Sequence, residues 1–468
     1  MPIDEQIARS WADAERKVFW LDRPDAPAPE PPLAADTAAD LAIVGGGFTG
    51  LWAAIQAKQD DPDRDVLLLE RGSIANAASG RNGGFCDRSV THGLANAMDR
   101  FPDEVDRISE LEWLSFRGLL ADIERYGIEC DLLRSGEMAV ARAPHELEAA
   151  HEETDALRRL GEDVVVLDRD GVRAEVNSPR FVGGVWRRDA VVMLDPARLA
   201  WGLKRAAGEL GVRIHEGTEV TGLAVDGPGV TIATSTGRVR ARKAILATNA
   251  FPPLARQIRR YVVPVYDLVL MTEPLSQARR DAIGWRSRQG VGDMTNMFQY
   301  YRVTDDGRIL WGGLDAIYHW RNGIDPSFEE RPETFDALAR NFFDTFPQLE
   351  GLRFSHRWGG VIDTCSRFSV FFGTSLGGRV AYALGYTGNG VGATRFGART
   401  ALDLVDGLDT GRTRLALVRG KPLPFPPEPL RWAGIQLTRH ALARADRRQG
   451  KRGLWLRLLD TLGLGFAS

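Results

Sequence analysis

The chain has 468 residues, 44% hydrophobic and 26% charged, with a formal net charge of −3. That is too long for one compact core and implies two or three globular domains, with neither nucleic acid nor an anionic membrane as the main partner. Cys86, Cys130 and Cys365 are widely spaced without a pairing or metal-ligand pattern, which suits a reducing cytoplasm and predicts no metal site.

Met1 to Asp13 is charged and lacks the apolar core of a secretory signal, and no window reaches the roughly 18 apolar residues of a membrane span. The N-terminal arm carries Trp11, Phe19 and Trp20, which are costly to leave in water, so it is expected to dock back onto the body or onto another subunit. Residues 24–32, Pro-Asp-Ala-Pro-Ala-Pro-Glu-Pro-Pro, form an extended connector.

An apolar run from Leu41 then meets Gly45, Gly47 and Gly50, and a second apolar run, Val66 to Leu69, ends in Glu70. This is the pattern of strand, tight turn, helix and strand that holds a dinucleotide. Gly45 allows the turn, Gly47 lets backbone approach a pyrophosphate, and Gly50 lets the helix pack closely on the strand. Phe48 and Thr49 lie at the helix start, whose open N–H groups attract phosphate. Glu70 is placed to accept from a ribose diol, and Arg71 to pack on the adenine side.

Further along come Ser79-Gly-Arg-Asn-Gly-Gly84 and a helix from about Asp103 to Tyr126. Gly136 to Asp170 reads as strand, charged helix and strand, Pro196 to Leu210 as an amphipathic helix, and Val212 to His215 as a short strand. Val220 to Val225, Val230 to Thr234 and Arg238 to Arg240 predict a meander feeding a separate buried strand, Ala244 to Asn249. Val220 is a candidate for backbone contact with adenine. Val262 to Met271, Asn296 to Val303 and Arg308 to Trp311 read as alternating strands, followed by a helix from Pro332 to Phe346. Near the C-terminus, Val380 to Leu384 runs into Gly385-Tyr-Thr-Gly-Asn-Gly-Val391 and a helix. The tail from Lys451 is amphipathic with a basic start, and is expected to pack as a closing helix across the nucleotide domain, membrane contact being the alternative.

Three features favour FAD over NAD: the glycine-flanked Ser79–Gly84 segment, where backbone can approach a flat ring; the strand after the meander; and the late glycine turn. There Gly385, Thr387, Gly388, Asn389, Gly390 and Val391 would place a helix N-terminus against the pyrimidine edge of isoalloxazine and stabilise the reduced ring. Arg81, Asn82, Gly83 and Gly84 join Ser79 as candidate cofactor contacts.

Together these segments resemble the D-amino-acid-oxidase superfamily of FAD-dependent oxidoreductases, and within it the gamma-glutamylputrescine oxidoreductase group, which shares the Ser-Gly-Arg-Asn-Gly-Gly segment. The resemblance implies an α/β, Rossmann-like FAD-binding domain of the glutathione-reductase type with an inserted antiparallel-sheet α+β substrate domain. The expected divisions are residues 1–32 for the arm and connector, 33–110, 185–250 and 365–468 for the FAD domain, and 111–184 and 251–364 for the substrate domain. It also implies oxidation of a carbon–nitrogen bond of an amine or amino acid by hydride transfer to flavin, with electrons passing to O2 or another acceptor. The alternative is a dehydrogenase of amino or hydroxy acids that delivers electrons to a quinone or carrier protein. Some relatives bind flavin covalently. Arg81 and Asn82 stand where some of these place a histidine, so non-covalent FAD is expected, with Cys86 the residue most able to overturn this.

Amine oxidation needs a neutral amine, and a dry aromatic pocket lowers the amine pKa. Period-two alternation puts Phe298, Tyr300 and Arg302 on one strand face, where Tyr300 and Arg302 could hold a substrate carboxylate. Trp311, Trp358, Phe371 and Phe372 are candidate walls, beside His356 and Arg357, and Asp363 could attract a cationic amine.

Overall fold

The computed structural model describes residues 3–252 and 254–464. Its first large sheet has Thr37–Val44 at the centre, flanked by Val66–Leu69 and Arg238–Leu246 and then by Arg213–His215 and Val380–Leu384, all parallel. Phe371–Ser375 closes one edge antiparallel. Leu41 to Val44 and Val66 to Leu69 are buried throughout, as continuous apolar runs must be in a sheet covered on both faces. The helix Phe48–Asp60 is buried along most of its length, and the helices Pro196–Glu209 and Gly390–Val405 pack against it. This is the Rossmann-like layer.

The meander and the buried strand after it are not separate elements. Arg238–Leu246 is one strand. In its first half Val239 and Ala241 point inward and Arg238, Arg240 and Arg242 outward while it pairs with Gly229–Thr234; Ala244 to Leu246 are then buried between Thr37–Val44 and Val380–Leu384. The switch from alternating to continuous apolarity marks a change of neighbours and not a break. The strand ends at Leu246, and after Ala247, whose N–H still donates to the Val44 carbonyl, Thr248 to Phe251 form a turn.

The second large sheet is built on Val263–Thr272, which pairs along its length with Phe354–Thr364. Ile309–Gly313, Gln299–Val303, Gly290–Asp293, Glu137–Ala141, Gly183–Arg187 and Val164–Leu167 continue it. The helix Pro332–Thr345 covers one face, burying Phe335, Leu338 and Phe342 against Trp311 and Tyr301. The expected boundary at residue 185 therefore cuts the strand Gly183–Arg187. The one at residue 110 cuts the helix Val105–Arg125, which packs on Gly390–Val405.

The arm folds back onto the body. Its helix Ile3–Trp11 lies on Pro332–Thr345 with Trp11 Nε1 donating to Asp336 at 2.9 Å, and buried Trp20 donates to the carbonyl of Asn82 at 2.9 Å. The C-terminal helices Leu430–Asp446 and Leu454–Thr461 pack on each other. They lean on the second sheet and not across the first: Asp446 accepts from the backbone N–H groups of Asn296 and Met297 at 3.0 Å, and Arg439 pairs with Asp315.

Candidate active site

Between the two sheets lies a cavity of about 2660 Å³, well beyond the roughly 300–1,000 Å³ of a site for one small ligand. At one end is the first glycine turn. Gly45 has φ +111°, and a Cβ there would lie 2.3 Å from the Ala247 carbonyl oxygen; one on Gly50 would lie 1.9 Å from the Gly45 oxygen. Gly50 thus serves helix packing and does not line the cavity, whereas Gly45, Gly47, Phe48 and Thr49 do. Gly47 caps the helix with no side-chain hydrogen bond. The Phe48 N–H donates to Ser79 Oγ at 2.9 Å, and the positive end of the helix faces the cavity.

Glu70 accepts from the N–H groups of Gly46 at 2.7 Å and Gly72 at 2.8 Å while its side chain borders the cavity. Beside it, the Arg71 guanidinium lies 4.6 Å over the Phe251 ring. Val220, first residue of its strand, completes this end.

The Ser79–Gly84 segment forms the middle. Asn82 folds the segment onto itself, donating to the Ala78 and Ser79 carbonyls at 3.0 Å and accepting from the Gly84 N–H at 2.8 Å. Arg81 reaches the other sheet, donating to Glu329 at 2.7 Å and to the Gly359 carbonyl at 2.8 Å. Gly83 lies under the Tyr300 ring, 2.8 Å from where its Cβ would be. Gly84, at φ +77°, turns away against the Leu194 carbonyl and does not line the cavity.

The late glycine turn meets the first one here. Thr387, Gly388, Asn389, Gly390 and Val391 border the cavity; Gly385 stands behind them against the Phe371 ring. Asp363 accepts from the Gly385 N–H at 2.6 Å, and burial pushes its carboxyl up to about 7 against the pull of the backbone N–H groups around it. It therefore braces the turn, a different role from attracting a cationic amine. Asn389 donates to the Thr91 carbonyl at 3.1 Å and leads into the helix Gly390–Val405, whose start opens on the cavity.

At the far end Tyr300 faces the cavity with its hydroxyl donating to Asp267 Oδ2 at 2.6 Å, while Asp267 Oδ1 accepts from the Gly313 N–H at 3.1 Å. Burial raises the Asp267 carboxyl to about 6, opposed by these hydrogen bonds. Glu137 and Asp293 also border this end, raised by burial to about 7 and about 6. Asp267 escaped notice in the sequence, although it is the one charged residue in Val-Pro-Val-Tyr-Asp-Leu-Val-Leu-Met-Thr, which is the signal that could have found it.

Several expected pocket residues lie elsewhere. Arg302 shares the face of Tyr300 but sits beyond the cavity, buried behind Gly83 and Gly84, with its guanidinium donating to the Leu194 carbonyl at 2.5 Å and lying over Trp20. It supports the segment in front of it and is not placed to clamp a carboxylate. Trp358 is buried and donates to the Arg81 carbonyl at 2.9 Å. Phe371 and Phe372 fill the core of the first sheet and Trp311 that of the second. His356 and Arg357 meet the N-terminal arm at Phe19 and Trp11. Cys86 is enclosed in the apolar core, away from the cavity wall.

The sequence matches the DAO family, described as FAD dependent oxidoreductase, over residues 40–404. It is 28% identical over 406 residues to a probable oxidoreductase OrdL of Haemophilus influenzae, covering 84% of this chain and 88% of that one. It is 31% identical over 379 residues to the gamma-glutamylputrescine oxidoreductase of Escherichia coli, covering 79% and 84%. Among solved structures, glycine oxidase from Geobacillus kaustophilus superposes with a TM-score of 0.65 at 20% identity, covering 80% of this chain and 96% of that one.

Proposed function

The chain belongs to the DAO family of FAD-dependent oxidoreductases, and we propose accordingly that it oxidises a carbon–nitrogen bond of an amine or amino acid, of the gamma-glutamylputrescine, polyamine or secondary-amine kind. The observation that carries this reading is the convergence of the Gly45 turn, the Ser79–Gly84 segment and the Thr387–Val391 turn on one cavity that continues to Tyr300 and Asp267. Support for FAD along the first part comes from backbone too close for any Cβ at Gly45 and from two helix starts facing the space. Glu70, Arg71 and Val220 would hold the adenosine, Gly47 to Thr49 the pyrophosphate, and Ser79 to Gly83 with Thr387 to Val391 the ring. Bound there, FAD would supply the two-electron acceptor, with N5 as the site for the substrate's hydride.

The chain's own side chains do the rest. Acidic groups at the far end, Glu137, Asp267 and Asp293, attract the substrate as its ammonium. Asp267, held by the Tyr300 hydroxyl and the Gly313 N–H, takes the proton that must leave before the nitrogen lone pair can assist hydride loss. Tyr300 and the neighbouring Tyr266 and Phe298 exclude water. The imine formed is hydrolysed to a carbonyl compound and a free amine, and electrons pass to O2. A cytoplasmic location, expected from the cysteine spacing, belongs to the same proposal.

The test is anaerobic addition of polyamines, gamma-glutamylated amines, N-methyl amines and amino acids to the holoenzyme. Loss of the oxidised-flavin absorbance with one of these classes is expected, and a flavin that none of them bleaches would overturn the reading. Rapid peroxide release on admitting air supports oxygen as acceptor, and slow reoxidation would assign the electrons to a quinone or carrier protein.

A further inference from the structure

The C-terminal helices carry a charge that the near-neutral total conceals. Between Leu430 and Thr461 there are seven arginines and one lysine against two aspartates, a net +6 in a chain whose total is −3. Arg444, Arg447, Arg448, Lys451 and Arg457 are exposed. The same stretch is also rich in exposed apolar side chains. Six of the fourteen large hydrophobic residues that stand exposed among the described residues fall between Leu430 and Leu462, and Leu454 is 86% exposed. Leu454, Leu458 and Leu462 recur at four-residue spacing, so they share one stripe, with Arg457 beside it. Trp432 on the first of these helices packs edge-on against Trp320, and both are exposed. The whole unit lies beyond residues 40–404, over which the chain matches its family.

We propose that the helices Leu430–Asp446 and Leu454–Thr461 dock flat on the anionic surface of a lipid bilayer. Exposed leucines and tryptophans flanked by unusually dense cationic side chains are what an interfacial helix presents, the apolar stripe entering the headgroup boundary and the cations meeting phosphate. Charge selects this occupant: a face bearing the exposed cations Arg444, Arg447, Arg448, Lys451 and Arg457 is repelled by a second copy of itself and attracted by acidic headgroups. Among the described residues no helix is long and apolar enough to cross a membrane, so the contact is one of lying on the surface. Leu430, Leu437 and Leu462 both stand exposed and line the cavity, so the docked face borders the cavity mouth. The proposal does not depend on which amine is oxidised.

The experiment is co-sedimentation of the full-length holoenzyme with vesicles of phosphatidylcholine alone or of equal parts phosphatidylcholine and phosphatidylglycerol. Partition onto the anionic vesicles is expected to exceed that onto neutral ones by about tenfold or more and to fall steeply with salt. A variant with Arg447→Glu and Arg448→Glu, and a second with Leu454→Glu and Leu458→Glu, should each lose most of this binding. None of these residues lines the cavity, and retained flavin absorbance and melting temperature establish that the variants are folded. Equal partition onto both vesicle types, no partition onto either, or variants that bind like the native chain would each overturn the proposal. Concentration-dependent dimers abolished by the leucine variant, without vesicle binding, would overturn it by assigning the patch to a second copy.

Discussion

The hydroxyl of Thr49 donates to the phenolic oxygen of Tyr386 at 2.9 Å, joining the first turn of the first nucleotide helix to a glycine turn 337 residues later. Both groups are buried and both residues border the cavity. The pair fixes the distance between the two turns to which the pyrophosphate and the flavin ring are assigned in the proposed FAD site. Tyr386→Phe leaves Thr49 without its partner. Stability should fall by about 1 kcal/mol and FAD affinity by roughly fivefold. A fluorescence titration of the apoprotein with FAD measures this, and an unchanged affinity would dissociate the two turns.

Glycine substitutions separate close approach from backbone strain. Gly83→Ala would drive a methyl to within 2.8 Å of the Tyr300 ring, and Gly45→Ala one to within 2.3 Å of the Ala247 oxygen; both chains should purify with little flavin. Gly388→Ala meets nothing within 4 Å and carries only the strain of φ +95°, about 1–2 kcal/mol, so it should retain FAD. The ratio of flavin to protein absorbance in the purified variants reads this directly.

Asp363 makes the FAD-free chain pH-sensitive. Burial lifts its carboxyl to about 7, so the folded chain keeps this proton where the unfolded chain has lost it. The folded state then binds the extra proton between about pH 4 and pH 7, and stability falls as pH rises through that window. Asp363→Asn keeps an acceptor for the Gly385 N–H but removes the titration. Its melting temperature should match the native chain near pH 4 and exceed it at pH 8, by up to about 4 kcal/mol in stability. Parallel melting curves across the window would show that the carboxylate is not the cause.

For Asp267 and Tyr300 the readout is a pH profile. Asp267→Asn removes the proposed proton acceptor and should lower kcat/KM about 10²–10⁴-fold and abolish the acid limb near pH 6. The Tyr300 hydrogen bond holds the Asp267 carboxyl down. Tyr300→Phe should therefore shift that limb to higher pH while leaving a measurable rate. Flavin reduction by rapid mixing over pH 5–9 checks both.

How far these features could be read from the sequence depends on their range. The Gly45–Gly50 turn was legible because its glycines follow an apolar run and open a helix, and the Gly385–Val391 turn because it too joins a wholly apolar strand to a helix. Alternation identified the face shared by Tyr300 and Arg302, but nothing local tells how far a cavity extends along a strand, and Arg302 fell beyond its edge. Trp311, Trp358, Phe371 and Phe372 look the same in sequence whether they wall a pocket or fill a core; the helix Pro332–Thr345 covers Trp311, the returning arm covers Trp358, and Tyr382 and Phe396 pack against Phe371 and Phe372. Gly183–Arg187 was split by a domain boundary because its pairing partners, Glu137–Ala141 and Val164–Leu167, are visible only in three dimensions.

The parallel strand Val380–Leu384 adds to the edge of Arg238–Leu246 and delivers the turn that ends at Val391. During synthesis, a nascent polypeptide still waiting for that strand has the Gly45 turn but lacks the opposite side of the proposed flavin site. Cofactor loading should therefore be a late event at the ribosome, and truncated translation products lacking the strand should emerge colourless and become substrates for proteases.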